Sequence, residues 1–402
     1  MKKTSTQLEM ETTFSPTWFL KALGNGGLAV SFFMYLMFFI EHKNPLPTFS
    51  DLSRELASHD LRAVMVALVS GVILYFSYMY FYQLAVQLKR YFAYLKTDSY
   101  RNMLGTNDEI TLMTLPLTLA MGINVIFVLG AVFVPHLWDY IEILFPFAIL
   151  AFLAVGIYAL KLFLNFFSDT LAKGNFDFVR NNNLGQMIAP FAFIMVSVGL
   201  AASVAMSHTK ATNIFAFVTS VFFLVLAILL MNIKMLLGFK SIFKHGAHDE
   251  MTPTLWIAIP ITTLIGITLI RLISGTYHHF LESSPNPIFL FIVLLTLFSI
   301  EVIFGLLGYT VMKRNNYFKK FVNGDQFHIG SYALICPGVA FVVLGLFFVN
   351  YGFIKTGFIS KFSLTHWLLI LPFVIVQLKT IQTLNRLNQK SKVLSFIQQK
   401  FD

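Results

Sequence analysis

Charge is scarce in this chain. Asp, Glu, Lys and Arg make up 12% of its 402 residues, about half the roughly 25% of an ordinary soluble domain, so a solvated globular surface is excluded. Cysteine is nearly absent. The single Cys336 rules out an intramolecular disulfide framework and a cysteine-based zinc site. The chain also lacks a polar block long enough for a separate soluble domain, and the first apolar run carries no small-residue cleavage site of the kind that ends a secretory peptide. The glycines at 24–27 lack the G-x-x-x-x-G-K-[ST] spacing of a phosphate loop and lie within an apolar run. His245 and His248, and the pair His278 and His279, have no carboxylate and cysteine set beside them, so they read as loop residues and no metal or cofactor is expected.

Apolar residues are plentiful, at 57% of the chain. A helix needs roughly 20 of them to cross the hydrocarbon core, and ten such runs occur, at 19–40, 63–88, 110–134, 140–164, 187–206, 213–237, 254–274, 288–312, 331–350 and 364–384. The expected organisation is a cytoplasmic segment 1–18, a membrane domain 19–384 and a cytoplasmic tail 385–402. In that tail Leu387, Val393, Leu394, Phe396 and Ile397 alternate with basic residues, as on a helix resting on an anionic leaflet. The loop 41–62 is expected to form a short interfacial helix.

Ten spans put both termini on one side. Of the 29 Lys and Arg residues, 22 fall on the side of the termini and seven on the other, which assigns the termini to the cytoplasm of a bacterial inner membrane. The formal charge of +10 is therefore a topology signal, and no nucleic-acid partner is expected.

The spans also repeat in pairs. Four of the five odd spans contain a proline, Pro116, Pro190, Pro260 or Pro337, followed six to nine residues later by Gly122, Gly199, Gly266 or Gly345. The first span has instead Pro16 before it and Gly24, Gly26 and Gly27 inside. The even spans end in Lys89, Lys161, Lys234, Lys313 and Lys379, spaced by 72, 73, 79 and 66 residues. A near-constant period predicts five stacked helical hairpins. Proline inside a transmembrane helix removes a backbone hydrogen bond that a neighbour or water must replace. The fold predicted is thus all-α and integral to the membrane: kinked odd helices around a central pore, even helices forming the outer wall.

Ten spans as five hairpins with prolines in the odd helices resemble the tellurite-resistance and dicarboxylate transporter superfamily, which includes the plant slow anion channels. The stretches "LGNGGLAVSFFMYLMF" and "SYALICPGVAF" are similar to its TsoY-type (seleno)protein branch, in which the position of Cys336 takes selenocysteine. The resemblance implies a homotrimer whose protomers each pass a small anion through their own pore, with no enzymatic activity. It also implies an aromatic gate in the ninth helix, here Phe341, with Phe193 and Phe127 as neighbours.

From the odd-helix positions, Asn124, Thr118, Ser197, Thr262 and Thr263 are the expected pore-lining polar groups. Lys21 and Arg271 lie near span ends, where basic side chains snorkel to the interface. Glu142 and Glu301 fall on even helices and are expected at an interface or in pairs between helices. Cys336 supports a rival reading as a membrane redox protein or enzyme, because it adjoins the expected constriction. A thiol buried among apolar groups is more often an inert small hydrophobe.

Overall fold

The computed structural model describes residues 14–401, without the side chains of Phe280 and residues 393–401. Most of the N-terminal segment, residues 1–13, lies outside this range, as do the tail side chains Val393, Leu394, Phe396 and Ile397. The described residues form helices and loops with no strand, because lipid leaves every backbone N–H and C=O of a span to be satisfied internally. Ten of its helices are long and apolar enough to cross a bilayer.

The odd-numbered members are α1 (Phe19–Phe39), α3 (Thr114–Phe133), α5 (Ile188–Met206), α7 (Ala258–Phe280) and α9 (Ile335–Phe347). The even-numbered ones are α2 (Leu61–Tyr94), α4 (Ile141–Lys173), α6 (Lys210–His245), α8 (Pro287–Arg314) and α10 (Leu364–Phe401). They occupy different places. The apolar windows of the odd spans are 56 to 94% buried, and those of the even spans 17 to 39%. Each odd helix packs on the next, α1 on α3, α3 on α5, α5 on α7, α7 on α9, and α9 returns to α1, closing a ring of five. Every even helix packs on the odd helix before it.

The even helices are 28 to 38 residues long, more than the roughly 20 a bilayer needs. The surplus lies at their C-terminal ends, which stand beside the starts of the odd helices. Tyr94 closing α2 packs on Phe14, ring centroids 5.2 Å apart. In the loop between α1 and α2, Phe49–Leu56 forms a short helix opened by a Thr48 and Asp51 capping box.

The four odd-span prolines fall at helix starts, whereas Pro146 and Pro372 lie inside the even helices α4 and α10. Pro116, Pro190, Pro260 and Pro337 each occupy the third residue of an α-helix and follow a 3₁₀ stretch. In the first turn the amide has no α-helical partner, so proline costs little there. The Leu112 carbonyl, four residues before Pro116, is taken by the Thr114 N–H. Lys21 holds the same third position in α1.

The glycines after the prolines admit side chains of neighbouring helices. A Cβ on Gly199 would lie 2.1 Å from the Phe152 ring of α4, and one on Gly122 would lie 2.5 Å from the Tyr80 hydroxyl of α2. They are sites of close helix contact. In α1, Gly24 and Gly27 do the same for Ile335 and Val339 of α9.

Candidate functional site

The 3₁₀ starts of the five odd helices are tied into a collar. The Thr114 hydroxyl donates to the Pro16 carbonyl at 2.7 Å, joining α3 to α1. Gln186 Nε2 donates to the Asn107 carbonyl at 2.9 Å, and the Leu184 N–H to Thr254 Oγ1 at 3.0 Å, joining α5 to its neighbours on both sides. His328 Nε2 lies 3.7 Å from Glu250 Oε2, between α9 and α7. Trp18 closes the circle against Phe327 and Tyr332 at 6.1 and 6.3 Å.

Inside the collar is a vestibule of about 820 Å³. All five helix starts reach it, through Pro16 and Thr17, Thr111, Gln186, Thr254, and Gly330. Asn102, Asn107, Asn181, Asn182, Asn183, Arg180, His248, His328 and Asp108 give it a polar wall. Each helix start carries the positive end of its dipole, so five positive ends stand around the vestibule. His328, just outside the ninth span, is held below the ordinary histidine value by burial, opposed by the Glu250 carboxylate.

A second cavity, of about 110 Å³, lies inside the ring further along the helices and is lined from all five odd helices. It reaches outward between α3 and α5 to Phe145 and Phe152 of α4. The faces that line the two cavities run in helical register. On α5 they are Ile188, Phe191, Met195, Val198 and Ala202, and on α7 Pro260, Leu264, Ile267 and Arg271. The cavities are separate. Phe191 lines the vestibule and Met195 the inner cavity, and the two are 4% and 2% exposed. Buried apolar side chains between two cavities resist wetting.

The inner cavity holds a basic residue. Arg271 lines it, and its Nη1 donates to the Val198 carbonyl of α5 at 2.7 Å. No carboxylate pairs with it among the described residues. It was expected to snorkel from a span end near 274, but α7 continues to Phe280, which leaves Arg271 more than two turns inside. Gly275, one turn on, permits the approach: a Cβ there would sit 2.4 Å from the Val204 carbonyl.

The expected site residues divide. Asn124 and Phe127 line the inner cavity, and Pro260, Pro337 and Cys336 line the vestibule. Phe341 lines neither. It packs outward between α8 and α10, 5.2 Å from Phe298 and 5.5 Å from Phe373. The cavity-lining face of α9 is phased on Cys336, Val343 and Phe347, and Phe341, two residues from Val343, points about 200° away. Phe193 is turned away in the same manner, two residues from both Phe191 and Met195, and packs against Phe163 and Phe223.

The hydroxyls also serve helix contacts. Ser197 donates to the Ser220 carbonyl of α6 at 2.8 Å, Thr118 to the Phe19 carbonyl of α1 at 3.4 Å, and Thr263 to buried Glu301 of α8. Thr262 is 2% exposed and lines neither cavity. Glu142 accepts from the Ser207 hydroxyl at 2.8 Å and the His208 N–H at 2.7 Å, which ties α4 to the α5–α6 loop.

Lys21 and Lys234 are buried, at 8% and 3% exposure. Lys21 Nζ lies 3.4 Å from Ser391 Oγ. Lys234 Nζ lies 5.3 to 5.6 Å from the Phe166, Phe167 and Phe176 rings and donates to Gln186 Oε1 at 3.2 Å, behind the vestibule wall. Among the described residues no group of three or more His, Cys, Asp or Glu side chains is arranged to hold a metal ion. No family model, curated protein or solved structure matches this chain.

Proposed function

We propose that this membrane protein is a channel or transporter for a small anion, which passes along the interior of the five-helix ring. The observation that carries the reading is the alignment inside that ring of the vestibule, on which five helix N-termini converge, with a cavity holding Arg271. A pore must attract an ion without binding it so tightly that it cannot leave. Helix dipoles and one guanidinium meet that requirement better than a cage of lysines. The hairpin repeat seen in the sequence, and the resemblance to the tellurite-resistance and dicarboxylate transporter superfamily, agree with this reading.

In this account the vestibule faces the cytoplasm of a bacterial inner membrane, as the Lys and Arg distribution implies, and the protomers assemble as a homotrimer. No enzymatic step is needed. The gate is Phe191 with Met195, in place of Phe341. Opening requires the Phe191 ring to leave the division between the cavities.

A redox role for Cys336 is the second reading, favoured by the position of its thiol on the vestibule wall. Flux from proteoliposomes separates the two. The pore reading expects chloride or nitrate to move in the native protein and in Cys336→Ser alike, and loss of flux in Cys336→Ser alone contradicts it.

A further inference from the structure

We infer that the inner cavity is a binding site for one singly charged anion, with Arg271 as its charged ligand, and that it sets a preference for monovalent over divalent species. The inference deepens the proposed function by naming the class of anion.

Three observations carry it. First, a guanidinium has five N–H donors in a planar fork, and among the described residues its hydrogen bond goes to the Val198 carbonyl. Second, Arg271 is half-buried, and a cation facing an apolar cavity normally has a counter-charge, because desolvation is costly without one. Arg271 pairs with no carboxylate among the described residues. An anion in the cavity would supply the missing partner. Third, the remaining wall provides little for a second charge. Its other polar side chains are Asn124, whose amide donates to the Ala120 carbonyl at 3.0 Å, and Ser203.

Size points the same way. The cavity is about 110 Å³, and a water molecule takes roughly 30 Å³ in the liquid, so there is room for a halide or nitrate with little accompanying water. A dicarboxylate held by Arg271 would press its other carboxylate on Phe127, Phe347 or Met195 with no cation to meet it. Sulfate would retain one uncompensated charge.

The test is thermal unfolding of the full-length protein in detergent, with sodium nitrate, bromide, sulfate or malate at matched ionic strength. A ligand that binds only the folded form raises the midpoint in proportion to ln(1 + [L]/Kd). Nitrate and bromide are expected to raise it, with apparent affinities at least about tenfold tighter than those of sulfate and malate, since a second charge has no partner. In Arg271→Gln the monovalent stabilisation should disappear, while Arg271→Lys, which keeps the charge and loses the fork, should retain part of it. Sulfate also stabilises by exclusion from the protein surface, so each anion's effect is read as the part lost in Arg271→Gln. An equal loss for sulfate or malate, no stabilisation by nitrate or bromide, or an unchanged response in Arg271→Gln overturns the inference. Calorimetric titration of the native protein with nitrate and with sulfate decides the matter if neither variant folds. Binding without flux in proteoliposomes would instead count against the proposed transport and leave the site standing.

Discussion

Replacement of Gly199 by alanine tests the packing between the ring and its outer wall. The added Cβ falls 2.1, 2.2 and 2.5 Å from three atoms of the Phe152 ring. Ordinary contact begins near 3.4 Å, so the ring must retreat by more than about 1 Å. Phe152 is 4% exposed, and one turn along α4 the Phe223 ring already lies against Gly156, so the ring can give way only toward the inner cavity that it lines. Overpacking of this kind costs about 1–3 kcal/mol, and that space places Gly199→Ala toward the lower end.

The control is Gly71→Ala on α2, where no atom lies within 4 Å of the new methyl. That change should be neutral or stabilising by up to about 1 kcal/mol, since alanine is the better helix former. Unfolding in mixed micelles, followed by circular dichroism, measures both. Phe152→Leu in the Gly199→Ala background should recover part of the loss, with a coupling of about 0.5–3 kcal/mol. A Gly199→Ala protein as stable as Gly71→Ala, or a double variant that is merely additive, refutes the contact.

Three further outcomes follow from the same geometry. Tyr80→Phe removes the hydroxyl that donates to the Thr118 carbonyl at 2.7 Å, costing about 1 kcal/mol. Because that hydroxyl also blocks a Cβ at Gly122, Gly122→Ala should be better tolerated in Tyr80→Phe than in the native protein, as a thermal midpoint series would record. Cys336 lies on the vestibule wall but is only 8% exposed, so a charged thiol reagent should label it at least about tenfold more slowly than a free surface thiol. Burial lowers the His328 pKa, so the unfolded chain binds the proton more readily. This contribution to stability is therefore present above the unfolded value of about 6.5 and is lost as pH falls through the folded one. In His328→Asn that slope should flatten, and an unchanged pH profile would rule His328 out.

Much of the fold was legible because lipid imposes a simple rule. Ten apolar runs became ten helices, with most starts within a few residues. The even helices outran their expected ends because polar residues such as Lys240 and Lys244 look like a stop. Lys234, which marks the cytoplasmic end of its span in the repeat, is buried among three phenylalanine rings. The prolines marked the right helices for an incomplete reason, since they sit where 3₁₀ structure passes into α-helix and an amide can be spared.

The site was less legible. Phe341 and Phe193 follow the prolines at plausible intervals, but helical phase decides which way a side chain faces, and a shift of two residues turns it by about 200°. Phasing α5 on Ile188, Phe191, Met195 and Ala202 would have found Phe191, had the inward face been known. Arg271 reads as an interfacial residue if α7 ends at 274, but the helix runs six residues further, to Phe280. Asn124 and Phe127 were reachable, as they lie one turn apart on the inward face of α3.

The most direct test of the central claim is anion flux in proteoliposomes for the native protein, Phe191→Ala and Phe341→Ala. The account predicts that Phe191→Ala raises chloride or nitrate flux by about tenfold or more, because the ring no longer closes the division between vestibule and inner cavity. Phe341→Ala, which loosens only the outer packing against Phe298 and Phe373, should leave it near the native rate. Absence of flux in all three proteins, or opening by Phe341→Ala and not by Phe191→Ala, would contradict it.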